Sequence, residues 1–155
     1  MSLAGNNVTE TKLRTSGCVD RDGDGYGALG DSSCLSASAD CDDQNPAIWG
    51  TPGNTVNLRF TSKRTLAWDP PSDPGALVSA LVYDTLRSGA PGDFLNAAIC
   101  LESDDGPNTM ATDSAVPSVG QVFFHLSRAQ NSYAQGTGSL GTSSSGVPRQ
   151  GRSCP

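Results

Sequence analysis

Apolar residues in the second half of the chain fall in short runs separated by clusters of turn formers. Val56 to Phe60 alternates apolar with polar, as does Thr65 to Trp68. Longer β-type runs cover Leu77 to Leu86 and Val122 to Ala129, with a shorter one at Ala97 to Leu101. Successive side chains of a strand point to opposite faces, so this alternation marks strands with one face buried. The breaker Asp69-Pro70-Pro71-Ser72-Asp73-Pro74-Gly75 separates the second run from the third, because proline has no N–H to give a ladder. No segment shows helical spacing between recognisable caps for more than two turns. Strands spaced in this way over residues 54–155 predict an antiparallel β-sandwich.

The first third is patterned differently. Residues 1–17 are polar, with weak β character at Val8-Thr9-Glu10-Thr11-Lys12-Leu13. They read as a terminal arm, or as an arm that adds a strand to a neighbouring molecule's sheet edge. Residues 18–53 hold Val19, Tyr26, Leu29, Leu35, Ile48 and Trp49 as almost their only large apolar side chains, and close in the turn Gly50-Thr51-Pro52-Gly53. That is too little to build a core unaided. The expected class is therefore mainly β, with an arm (1–17), an Asp-rich module (18–53) and a sandwich (54–155).

Composition sharpens this picture. Gly and Pro make up 28 of 155 residues, while Glu and Lys number two each, a balance that favours turns over helices. The longest apolar runs are a few residues, against the roughly 20 that a membrane-spanning helix needs. Of the net charge of −6, all of it lies between Cys18 and Trp49, where seven aspartates meet one base, Arg21. With no basic stripe anywhere, nucleic acid is excluded as a partner. Carboxylates crowded so closely repel one another unless a cation joins them.

Asp20-Arg21-Asp22-Gly23-Asp24-Gly25-Tyr26 places carboxylates at positions 1, 3 and 5, glycine at 6 and a backbone carbonyl at 7. This is the front half of an EF-hand-type loop: alternate residues turn inward onto one cation, and Gly25 allows the turn that aims the Tyr26 carbonyl. Position 12 falls on Asp31 rather than glutamate, and no long helix flanks the loop, so this is not a complete EF-hand. Asp40-Cys41-Asp42-Asp43 offers further carboxylates. The candidate ligands are Asp20, Asp22, Asp24, Tyr26, Asp31, Asp40, Asp42 and Asp43, and oxygen donors of this kind select one or two Ca²⁺ ions over softer metals.

The five cysteines contain no C-x2-C pair, and His125 is the one histidine, which argues against zinc. Disulfides are the alternative, and with them a secreted or cell-surface location. No charged stretch followed by an apolar one opens the chain, so no signal peptide is visible and one is expected to have been removed. Cys34 with Cys41 would close an eight-residue ring contributing about 2.5 kcal/mol, and Cys100 with Cys154 a long loop contributing about 4 kcal/mol. Cys18 is then the odd thiol; the alternative is that Cys18 pairs with Cys34 or Cys41.

The stretch Asp20 to Gly27 (DRDGDGYG), a cysteine, and then Asp40 to Ile48 (DCDDQNPAI) resembles the MopE-type metal-binding repeat of bacterial secreted and surface proteins. That family takes its name from a copper-binding protein, but copper calls for imidazole or sulfur. If the cysteines are oxidised, only His125, Met1 and Met110 could supply these. Similar Asp-rich logic occurs in thrombospondin type 3 and dockerin repeats, which calcium stabilises. Further on, Leu66-Ala67-Trp68-Asp69-Pro70-Pro71, Tyr83 and Phe123 to Asn131 (FFHLSRAQN) resemble a fibronectin type III domain. In that family a tryptophan of the second strand packs across the core and a Y-x-V-x-V-x-A-x-N pattern marks the sixth. Trp68, Ala129 and Asn131 match; Phe123 stands where the tyrosine belongs, and His125 and Ser127 replace aliphatic residues.

Catalytic signatures are lacking. Gly136-Thr137-Gly138-Ser139-Leu140-Gly141 spells a dinucleotide fingerprint, but the turn-rich Thr142-Ser143-Ser144-Ser145-Gly146 follows it where a phosphate-binding helix would be required. No nucleophile elbow, H-E-x-x-H or P-loop occurs. The expected function is that of a noncatalytic extracellular calcium-binding structural protein in a surface assembly, adhesin or filament, with further copies of itself or another surface protein as partner. The alternatives are a glycan- or protein-binding module using Trp49 as an exposed aromatic, and metal capture.

Overall fold

A computed structural model describes residues 17–30, 32–103 and 106–155. The expected arm, apart from Gly17, and the candidate ligand Asp31 lie outside the described residues. The chain divides into two compact units between Trp49 and Gly50, slightly ahead of the turn at Gly50 to Gly53. The reason is local: Gly50 and Gly53 donate their N–H groups to the carbonyls of Gly75 and Asp73, at 2.8 Å each, and so belong to the second unit.

The second unit is mainly β. Its strands are β1 (Val56–Phe60), β2 (Thr65–Asp69), β3 (Val82–Ser88), β4 (Ala98–Ser103), β5 (Met110–Thr112) and β6 (Phe124–Gln130). They form two antiparallel three-stranded sheets, ordered β1-β2-β5 and β4-β3-β6. Burial follows this order. The central strands β2 and β3 carry Leu66, Ala67 and Trp68, and Tyr83, Asp84, Thr85 and Leu86, all buried, whereas the edge strand β1 is largely exposed. A strand covered on both faces reads as a continuous buried run, which is why β3 does not alternate.

The two sheets face each other through Trp68 of β2 and Tyr83 of β3, whose ring centroids are 5.6 Å apart. A neighbouring cluster of Leu86, Phe94, Ala98, Leu140 and Cys154 packs with Cys100, Phe124 and Leu126. Here the disulfide between Cys100 and Cys154 ties β4 to the C-terminal segment across 54 residues, for about 4 kcal/mol in the chain-entropy picture. The polar residues of β6 are paired rather than stranded. Ser127 meets Thr55 at 2.6 Å, His125 meets Asp113 at 2.9 Å, and Arg128 binds Asp84 through two nitrogens at 2.9 and 2.5 Å.

One expectation needs correction, and one strand is added. The run Leu77 to Leu86 is not one strand: Val78–Ala80 forms a 3-10 turn, the only helical element among the described residues, and β3 starts at Val82. Leu77 and Val78 are half exposed, so their apolar character carried no β signal. Met110–Thr112 adds a strand that alternation did not reveal, because three residues are too few to show a period. The glycine fingerprint at 136–141 lies in irregular chain outside the named strands.

Candidate metal centre

In the first unit, two stretches are laid side by side by backbone bonds. Ala39 bridges to Gly27 in parallel, the N–H of Asp40 donates to the Gly27 carbonyl at 2.9 Å, and that of Ser36 to Gly25 at 3.0 Å. Gly27 has to be glycine, since a Cβ there would lie 2.7 Å from the Val19 carbonyl oxygen and 2.9 Å from the Cys34 sulfur. Gly25 has φ +101°, a left-handed conformation that favours glycine over other residues.

This alignment brings five of the candidate ligands together. Asp20, Asp22 and Asp24 form one group and Asp22, Asp40 and Asp43 a second; within each, a carboxylate oxygen from every residue lies within 4.8 Å of the others. Asp42 joins neither. It turns the chain instead, its carbonyl accepting the N–H groups of Gln44 and Asn45 at 2.6 and 2.8 Å.

Each carboxylate of these groups is anchored by backbone. Asp20 accepts from Gly23 and Gly25 at 2.6 and 3.0 Å, Asp22 from Asp24 at 3.2 Å, and Asp24 from Tyr26 at 2.8 Å. Asp40 accepts from Asp42 at 2.8 Å and Asp43 from Arg21 at 2.9 Å. In Asp22, Asp24 and Asp40 these bonds use Oδ1, and Oδ2 is buried without a hydrogen-bond partner among the described residues. Three buried and unpartnered oxygens are costly unless a positive charge faces them. The protonation behaviour agrees: burial, with the charges of Asp22, Asp40 and Asp20, pushes the Asp24 carboxyl up to about 6, against the Tyr26 N–H bond. Burial and the neighbouring aspartates push Asp40 upward as well. Oxygen donors at this spacing fit a hard divalent cation of the calcium type. Neither group includes Cys41 or His125.

The disulfide of this unit joins Cys18 to Cys34, with Cα atoms 4.8 Å apart, and Cys41 is the free cysteine. The expected ring from Cys34 to Cys41 is thereby corrected. Cys34 lies across Gly27 beside Val19, while Cys41 is drawn the other way, its N–H donating to the Trp49 carbonyl at 3.3 Å. Trp49 is likewise not the exposed platform expected for glycan binding: it is half-buried and stacks on Tyr26. His125, bonded to Asp113 in the second unit, has no part in the acidic groups.

No protein-family model and no curated protein matches the chain. The likeness to the MopE-type repeat and to fibronectin type III domains rests on the residues quoted above.

Proposed function

We propose that this chain is a noncatalytic, extracellular, calcium-binding structural protein of a bacterial surface assembly, adhesin or filament, in which the bound ion does for the Asp-rich unit what a hydrophobic core does elsewhere. The observation that carries the reading is the set of buried, unpartnered Oδ2 atoms of Asp22, Asp24 and Asp40, each in a carboxylate whose other oxygen is fixed by a backbone N–H. Tyr26 would add its carbonyl. The two disulfides support an oxidising compartment, and no helix among the described residues is long and apolar enough to cross a membrane. Trp68 on the second strand, packed against Tyr83, and the order of the two sheets support a fibronectin type III-like sandwich.

Thermal unfolding of the full chain in millimolar calcium and then in excess chelator tests this. At a free calcium concentration 100 times Kd, the ion contributes about 2.7 kcal/mol, a shift of several degrees. An unchanged midpoint would refute the calcium reading. Negative-stain imaging of native material is expected to show ordered polymers; monomers at all calcium levels would remove the assembly role.

A further inference from the structure

Asp22 is common to both carboxylate groups, with Asp20 and Asp24 as companions in one and Asp40 and Asp43 in the other. Two oxygens on one calcium, each 2.3–2.6 Å from it, can be no more than about 5 Å apart. Each group therefore fits a single ion, whereas the five carboxylates do not gather into one group. The second group carries a sign of a ligand besides the clustering of its acids. Asp40 is only 6% exposed, and its Oδ2 has no hydrogen-bond partner among the described residues. Asp43 is oriented from the opposite stretch, by the Arg21 N–H. Charge points the same way: one divalent ion leaves the five carboxylates at −3, two leave them at −1.

We propose that Asp22 bridges two adjacent calcium ions, the second held by Asp22, Asp40 and Asp43. This rests on the calcium reading of the loop and adds a distinct site to it. Cations sharing one carboxylate lie about 4 Å apart, so their binding is coupled. The second ion fastens the 40–43 turn to the loop at 20–24, next to the Gly27 to Ala39 bridge that aligns them. Calcium then clamps two stretches that few apolar contacts hold.

The test is calorimetric titration of the chelator-treated full chain with CaCl2, with elemental analysis of the gel-filtered protein. Two equivalents are expected in the wild type, one in Asp43→Asn, and one in Asp24→Asn. Asp22→Asn should weaken both by at least tenfold. Asparagine at 43 keeps an oxygen for the Arg21 N–H, so this variant preserves the fold, and the wild-type stoichiometry needs no variant at all. A single equivalent in the wild type would overturn the second ion and leave the loop site standing; none would overturn both. Two equivalents, of which Asp22→Asn removes only one and leaves the other at full affinity, would overturn the bridge.

Discussion

Tyr26 and Trp49 stack, with ring centroids 5.3 Å apart and ring planes 12° from parallel. The seventh residue of the Asp-rich loop is thus fixed against the last residue of its unit, 23 positions along the chain. Offset aromatic pairs add about 0.5–1.5 kcal/mol beyond the area they bury, a sizeable contribution where so few apolar side chains are present. Trp49→Ala is expected to lower the calcium-loaded melting temperature and weaken calcium binding several-fold, while Trp49→Phe retains most of both. Calorimetric titration of the two variants checks this; equal affinities would mean that the stack does not hold the loop.

The cysteine pairing gives a second expectation. With Cys18 bonded to Cys34 and Cys41 free, unreduced native protein should take up one equivalent of alkylating reagent after denaturation, and peptide mapping should place it on Cys41. Before denaturation the reaction should be slow, because burial and the adjacent Asp40 charge push the Cys41 thiol upward and thiolate is the reactive form. Replacing Cys18 and Cys34 by serine removes a constraint worth about 3 kcal/mol. Replacing Cys41 by serine should cost little. Label on Cys18 would instead restore the ring between Cys34 and Cys41.

These cysteines show where sequence and structure part company. The D-x-D-G-D-G register of residues 20–25 is a local signal, and so is the alternation of Val56 to Phe60; both are written in consecutive residues. The pairing of Cys34 depends instead on which strand of backbone crosses Gly27, and the nearness of Asp40 to Asp22 depends on the Gly27 to Ala39 bridge. Neither leaves a periodic trace. Asp42 stands between Cys41 and Asp43 in the sequence, but the fold places it in neither group of carboxylates, which adjacency along the chain does not reveal. The 3-10 turn at Val78–Ala80 has no side-chain cap to mark it in the sequence.

The buried ion pair of the sandwich should respond asymmetrically to mutation. Asp84 is fully buried and Arg128 nearly so, and Arg128 also donates to the Arg152 carbonyl at 2.9 Å. Removing one partner leaves a charge without its counterpart in a low-dielectric interior, at a cost of about 3–5 kcal/mol. Arg128→Met and Asp84→Asn are each expected to destabilise by that order in urea unfolding. The double variant should lose clearly less than the sum of the two. Strict additivity would mean that the pair does not act as a unit.

Acid should act on the sandwich through Asp113. This nearly buried carboxylate accepts from Arg87 at 2.6 Å, from His125 at 2.9 Å and from the Ala115 N–H at 3.0 Å. Burial raises its pKa, but His125, the Ala115 N–H and Arg87 together outweigh burial and hold it below the usual carboxylate value. A folded pKa below the unfolded one means that the unfolded chain binds the proton more readily. The stability Asp113 contributes is therefore full above about pH 4 and is lost as pH falls through the lower folded value. Asp113→Asn also leaves Arg87 without its carboxylate, for about 3 kcal/mol at neutral pH. Urea unfolding between about pH 7 and pH 2 should show the wild type and Asp113→Asn far apart at the neutral end and converging toward the acid end. A gap that stays constant across that range would mean that another carboxylate governs the acid limb, and that the Arg87, Asp113 and His125 contact contributes nothing that depends on charge.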